Sequence, residues 1–377
     1  MTVVDPPSAS DGNRHILVAG ASGVIGAAAT EHFARLAEWR VTALSRRRPL
    51  LPGDVRFDHA VVDLHDLAGC AALAERLPPV THLVYAAASE APGLASGWRD
   101  PERIAENGRM FANLLAPLAR AGALRHVSLL QGAKAYGAHV HPVSVPLRET
   151  DPRDPHANFY WLQDDLLRET AASHSFAFTV FRPQVLMGWA PGAAMNPVAA
   201  IGAYAALCRE LALPFALPGA GVAVWEMVGA DLLAEAFVWA ASTDVAADET
   251  FNITNGDVFV LRHAWPEIAR RLDLDDEGDA PTSFSSLFAK PESEAAWTTI
   301  AERHGLLEHS LPALLGQSAT YLDLLLAPRI ADKASPVLLS TIKLRQAGFA
   351  ACRDSLESLI AQLGRMVELG LLPPLFS

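Results

Sequence analysis

"HILVAGASGVIG", His15 to Gly26, decides how the rest of the chain is read. An apolar run ending in Gly20 suits a strand buried on both faces, and the helix-like "GVIGAAATEHFARLAEW" begins three residues later. Gly20, Gly23 and Gly26 fall at the junction. Glycine is needed where a chain turns tightly, where backbone must approach a pyrophosphate, and where a helix packs closely on a strand. The helix start adds free N–H groups and the positive end of its dipole. The stretch predicts a dinucleotide cradle built from Gly20, Ser22, Gly23, Val24, Ile25 and Gly26.

Outward from that turn, strands alternate with helices. "RVTALSR", "DHAVVDL", "VTHLVYAAA", "HVSLLQG" and "FAFTVFRPQVLMG" read as strands. "DLAGCAALAERL", "PERIAENGRMFANLLAPLARAG" and "ANFYWLQDDLLRETAASH" read as helices. This predicts an α/β fold, a Rossmann-like doubly wound parallel sheet. Past Gly188 the pattern loosens and turns mainly helical, which predicts a smaller, mainly helical C-terminal substrate lobe over the carboxyl edge of the sheet, where ligands of such folds bind. The expected boundaries are a disordered lead-in over 1–14 and an NADP-binding domain over 15–195, with 222–260 returning to it. The substrate-binding lobe is expected over 196–221 and 261–377.

Composition narrows the class. The chain has 377 residues, 51% hydrophobic and 19% charged, which suits a large packed core. A net charge of −12 disfavours nucleic acid and anionic membrane as partners. Cys70, Cys208 and Cys352 are too far apart for metal-ligand or disulfide spacing and read as thiols of a reducing compartment. The N-terminal stretch lacks the pattern of a secretory signal, and "NPVAAIGAYAALC" is too short to span a bilayer. A soluble, cytoplasmic protein is expected, with no metal; a homodimer is left open.

The end of the second strand selects the cofactor. NAD sites carry an acidic residue there for the ribose hydroxyls, whereas NADP sites use arginine for the 2′-phosphate. Here stands "SRRRP", with Ser45, Arg46 and Arg47 and no carboxylate. NADP(H) is therefore expected. Asp63 and Leu64 fall where the adenine is held, and Ala86, Ala87 and Ala88 offer a smooth surface after the next strand. Gln131, Pro183 and Val185 follow further strand ends and are added as cofactor contacts, together with Met195.

Short-chain dehydrogenases with such a turn usually pair a catalytic tyrosine with a lysine four residues later. None of the five tyrosines has one, and Tyr160 meets Asp164 at that spacing. Lys134 is the sole lysine before residue 290. It lies in "LLQGAKAYG", past the carboxyl end of a strand and so at the crevice edge, where it can sit beside the Tyr160 hydroxyl.

"LLQGAKAYG", "NFYWLQDDLL", "FRPQVLMGWAPG" with the following "MN", "FNITNGDVF" and "STIKLRQAGF" together resemble the progesterone 5β-reductase/iridoid synthase-like family of atypical extended short-chain dehydrogenases. The likeness runs from about residue 15 to 365, with the motifs in order. It implies NADPH-dependent reduction of an activated C=C bond, with Tyr160 and the displaced Lys134 as the catalytic pair, Tyr160 also touching the cofactor. The chain departs from the family in the lysine loop. Ala135 stands where histidine is usual, and Gly137-Ala138-His139-Val140 replaces a "GPF" pattern, so the pocket wall near the nicotinamide is expected to differ. His139 and His141 lie in this loop within reach of a ligand. The expected substrate is a small hydrophobic enone or enal in an apolar pocket of Tyr136, Trp161, Trp189, Tyr204, Phe215, Trp225 and Phe349. Two other functions fit the motifs less well. A carbonyl reductase or sugar-nucleotide epimerase normally keeps the Tyr-x-x-x-Lys pair, and a non-catalytic NADP-binding redox sensor typically loses the tyrosine.

Overall fold

Fully buried apolar strands set the centre of the fold. The computed structural model describes residues 14–90, 94, 97–280, 282–326 and 336–376. Its first strands are β1 (Arg14–Ala19), β2 (Trp39–Leu44), β3 (Asp58–Ala60), β4 (His82–Tyr85), β5 (His126–Leu130) and β6 (Ala177–Pro183). Four short strands outside the main sheet follow: β7 (Val185–Met187), β8 (Phe215–Pro218), β9 (Val224–Trp225) and β10 (Met227–Gly229). Then β11 (Glu249–Ile253) closes the sheet, whose order is β11-β6-β5-β4-β1-β2-β3, parallel throughout. The order reverses beside β1, the switch point where such sheets bind ligands. The lead-in expected over 1–14 lies outside the described residues except for Arg14, which opens β1 opposite Trp39.

Helices cover both faces. α1 (Val24–Ala34) and α6 (Ala230–Ala240) pack together over one face, burying Phe33, Leu233 and Phe237 against Ile16, Val18 and Phe181. On the other face α2 (Leu67–Arg76), α3 (Pro101–Arg120) and α4 (Phe159–His174) bury Leu73, Phe111, Leu114 and Leu167 against Leu17, Leu83 and Val127. The second core sits in the lobe, around α5 (Pro197–Glu210). That helix is apolar on every side because α9 (Pro291–His304), α10 (Leu311–Leu315), α11 (Ser318–Leu326) and α13 (Ser355–Glu368) surround it.

The lobe also carries α7 (Leu261–Arg271), α8 (Phe284–Phe288) and two strand pairs. These are β12 (Phe259–Val260) with β9, and β13 (Asp276–Ala280) with β8. The late "STIKLRQAGF" departs from the expected lobe. Its helix α12 (Ile342–Gln346) packs on β11, and Leu344 and Phe349 join the core under α6. Lys343 Nζ donates to Thr250 O at 2.9 Å, tying this segment to the sheet edge.

Candidate active site

The glycine turn is shaped by close approach. Gly20 has φ +82°, and a Cβ there would stand 2.7 Å from the Ala86 backbone. At Gly26 a Cβ would lie 2.2 Å from Gly20 O, so α1 can only meet the turn through glycine. The N-cap of α1 is Gly23, with no side-chain cap and no acidic residue in the first turn. Its first N–H groups thus stay free for an anion. They open on a cleft of about 230 Å³ lined by Gly20, Ser22, Gly23, Ser45, Arg46, Arg47, Asp63, Leu64 and Ala86 to Ala88, with Pro191 to Ala193 across it.

Three of the expected cradle residues do not face this cleft. Val24 lies against Gly188, where an added Cβ would meet its Cγ1 at 2.4 Å, and Ile25 packs into the core beneath α1. Gly26 provides the close contact already described. At the mouth, Arg46 and Arg47 are exposed, while Ser45 Oγ donates to Arg47 O at 2.6 Å and fixes the loop. Asp63 accepts from the His65 backbone N–H and lies 2.6 Å from His65 Nδ1, which holds its carboxyl below the usual range.

Tyr160 and Lys134 come from segments tied to each other. Asn158 caps α4, its Oδ1 accepting from Tyr160 N at 3.0 Å, a contact worth about 1 kcal/mol. Asn158 Nδ2 donates to Lys134 O at 3.1 Å, and Gln131 Nε2 to Tyr160 O at 3.3 Å. Gln131 is itself held by Arg182 Nε at 2.8 Å and braces the site from behind. The Tyr160 hydroxyl lies against Gly132, where a Cβ would stand 3.4 Å from it and from Pro183 O. Burial raises the Tyr160 hydroxyl pKa far above its ordinary value, with Glu90 and Tyr321 adding to the effect.

Lys134 lies on the one-turn helix Ala133–Tyr136. Its ammonium sits 3.7 Å from the centre of the Trp98 ring and 3.6 Å from Met195 Sδ. Burial lowers it to about 8, against a small opposing pull from Glu90. It faces a second cavity, of about 440 Å³, lined by Trp98, Ala133, His139, Gln184, Val185, Met195, Trp225, Glu226, Tyr321, Leu325 and Val337 among others. This wall is mostly apolar, as a hydrophobic ligand requires. Tyr160 is not among its lining residues, and no hydrogen bond joins Tyr160 to the Lys134 ammonium among the described residues.

Of the seven expected pocket residues only Trp225 lines the cavity. Tyr136 points into the fold, its hydroxyl donating to Asn252 Oδ1 at 2.7 Å. Trp161 is half-buried on α4, between Arg153 and Arg182. Trp189 is buried near α1, its Nε1 donating to Leu50 O. Tyr204 and Phe215 stack with Trp265 in the lobe core, and Phe349 packs on Trp239. Apart from Trp161, held between two guanidinium groups, core packing outweighs a ligand role in these residues, the ordinary fate of aromatic residues. Val185 and Met195 line the apolar cavity rather than the glycine-rich cleft. His139 lines the cavity, and burial lowers its imidazole to about 4. His141 lies outside it, paired with Asp154 at 2.7 Å.

The sequence reading missed Trp98, Gln184, Glu226 and Tyr321. Glu226 alone carried a signal, a single charge inside the apolar run "VAVWEMV". Among the described residues no cluster of His, Cys, Asp and Glu is placed to hold a metal ion, and no helix is long and apolar enough to cross a membrane.

Residues 16–254 match the model of the NAD dependent epimerase/dehydratase family, and the chain belongs to that family of extended short-chain dehydrogenases. It is an oxidoreductase of the progesterone 5β-reductase/iridoid synthase-like branch. A similar relative is (S)-8-oxocitronellyl enol synthase of Antirrhinum majus, 27% identical over 95% of this chain and 92% of that one. The enzyme of that name from Nepeta racemosa is 31% identical over 69% of each chain. The 3-oxo-Delta(4,5)-steroid 5-beta-reductase of Arabidopsis thaliana is 29% identical over 78% of this chain and 79% of that one. The fold is shared with UDP-glucose 4-epimerase of Thermotoga maritima, solved with UDP-glucose (TM-score 0.64, 16% identity, 94% and 99% of the chains covered). It is also shared with the Bordetella bronchiseptica enzyme WbmH, solved with NAD+ (TM-score 0.62, 15% identity, 94% and 99% covered).

Proposed function

We propose that the protein is an NADPH-dependent reductase of the activated C=C bond of a hydrophobic 1,4-enone or enal. The observation that carries this reading is a buried, desolvated Lys134 ammonium at the wall of a mostly apolar cavity, on a loop tied to Tyr160. The named relatives, an enol synthase and a steroid 5-beta-reductase, support it.

The glycine turn and the uncapped start of α1 fit a pyrophosphate, because a Cβ at Gly20 or Gly26 would fill the cradle. Ser45, Arg46 and Arg47 would take the adenosine end, with Arg46 and Arg47 suited to a 2′-phosphate. Bound there, NADPH supplies a hydride to the β-carbon of the enone.

The chain's own residues stabilise what forms on the substrate. As the β-carbon gains hydride, negative charge gathers on the carbonyl oxygen as an enolate. Tyr160, whose hydroxyl lies against Gly132 next to the cavity-lining Ala133 rather than in the lining itself, would donate a hydrogen bond to that oxygen once substrate extends to it, and its raised pKa disfavours loss of the proton. Lys134 adds positive charge in a low-dielectric wall, where the attraction exceeds that in water. Trp98, Trp225 and Leu325 exclude water and bind the hydrocarbon.

The test is NADPH consumption by the purified protein against enones, enals and saturated ketones, with products identified by mass and NMR. Saturated carbonyl products from enones are expected, the enolate taking its α-carbon proton from solvent. Oxidation of NADPH only with ketones that lack a conjugated alkene would overturn the reading.

A further inference from the structure

Among the described residues that line it, the cavity beside Lys134 has one carboxyl, and neither the fold nor the reaction above uses it fully. Glu226 sits between β9 and β10, is 7% exposed, and lines the cavity beside Trp225. Its Oε2 accepts from Leu339 N at 2.6 Å. Its other oxygen has no hydrogen bond, and no ion pair engages the group, among the described residues. Burial pushes the carboxyl up to about 7, with the like charge of Asp257 adding to it.

A largely buried carboxyl whose second oxygen opens on a mostly apolar cavity is costly, since polar groups drawn away from water need partners. Holding the neighbouring segment does not account for it. Leu147 N donates to Leu338 O and Ser340 N to Leu147 O, both at 2.8 Å, and Gln184 Nε2 donates to Val337 O at 2.8 Å. The segment is therefore pinned on both sides of Leu339 without Glu226. A neutral acceptor would also serve one N–H and avoid the desolvated charge.

We infer that Glu226 is a specificity-determining residue that hydrogen-bonds a hydroxyl carried by the substrate apart from its enone. This rests on reading the cavity as the enone site. A hydroxyl is the group that fits, because it donates to a carboxylate and accepts from a carboxylic acid. A carbonyl would be served only by the protonated form. Lys134, His139, Gln184 and Tyr321 share the cavity wall, but among the described residues none of them hydrogen-bonds the second oxygen of Glu226, so a ligand that lacks the hydroxyl leaves that oxygen unpaired.

The test is a series of enones that differ only in the position of one hydroxyl, each compared with its deoxy parent by kcat/KM. The ratio is taken within the wild type, Glu226→Gln and Glu226→Leu. Because it is internal to each protein, a loss of folded enzyme cancels. In wild type, at least one hydroxyl position is expected to be favoured about 10-fold or more over the parent. Gln retains a hydrogen-bonding amide and should keep most of that preference; Leu should lose it. No favoured position in wild type, or an undiminished preference in the Leu variant, overturns the inference. If no enone is turned over, the parent compounds included, the reductase reading itself has failed. Quenching of tryptophan fluorescence (Trp98 and Trp225 line the cavity) by saturated hydroxy-ketones against plain ketones then decides Glu226 separately. Tighter binding of a hydroxy-ketone that disappears in Glu226→Leu supports its role, and equal binding overturns it.

Discussion

Lys134 Nζ rests 3.7 Å from the centre of the Trp98 ring, and this contact stands in for water around a buried cation. Trp98 comes from the single turn Gly97–Arg99 before α3, and Lys134 from the turn after β5. The negative face of the indole offsets part of the desolvation that lowers the amine toward 8. Trp98→Ala should remove that support, allow the Lys134 pKa to fall further, and lower kcat/KM by roughly 3- to 30-fold, from about 0.5–2 kcal/mol. Trp98→Phe should recover part of the loss. An alanine variant with wild-type rate and pH profile would show that the ring does not hold the charge.

The pH dependence has a definite sign. Burial lowers Lys134 to about 8, so it is cationic below that pH and neutral above it. Turnover that uses the ammonium falls as pH rises through about 8. The pH profile of kcat/KM should show this limb in wild type, and Lys134→Met should be slow and lack it. The same shift makes the folded state bind a proton less readily than the unfolded chain, so the buried cation costs stability below about pH 8 and the cost fades as pH rises beyond it. Lys134→Met should therefore melt above wild type at pH 7, with the difference shrinking toward pH 10.

Tyr160→Phe removes one oxyanion donor and should lower turnover by roughly 10²–10³-fold while leaving NADPH affinity nearly unchanged. Single-turnover rates and NADPH titration by fluorescence separate the two effects. An unchanged rate would remove Tyr160 from the chemistry.

Arg46 and Arg47 line the mouth of the glycine-rich cleft and are exposed. Loss of one contact to a 2′-phosphate is worth about 1.5–3 kcal/mol for a charge-assisted bond. Arg46→Ala should thus weaken NADPH binding by roughly 10-fold or more and leave NADH binding little altered, as read by calorimetry with both cofactors. Equal weakening of both would point to a general loss of the loop.

Gly26→Ala sets a methyl group 2.2 Å from Gly20 O, a contact between backbone and Cβ that no rotamer can relieve. The variant should melt several degrees below wild type and lose dinucleotide binding. Gly53→Ala, where nothing lies within 4 Å of the added carbon, serves as the control.

By itself the sequence determined most of the sheet, because its central parallel strands, buried on both faces, leave continuous apolar runs and their helices leave a periodic stripe. It also determined the glycine cradle, since close backbone approach admits one residue type, and it marked Lys134 as the lysine near the crevice edge by having no other before residue 290. It could not sort the aromatic residues. Tyr204 and Trp225 both sit in apolar runs, yet one stacks in the lobe core and the other faces the cavity. That difference depends on which helix of the lobe covers which wall, a matter of packing between segments distant in the chain. Only the tertiary structure brought Trp98 onto Lys134 and left one oxygen of Glu226 without a partner among the described residues, because burial and charge environment belong to the assembled cavity and not to any local stretch.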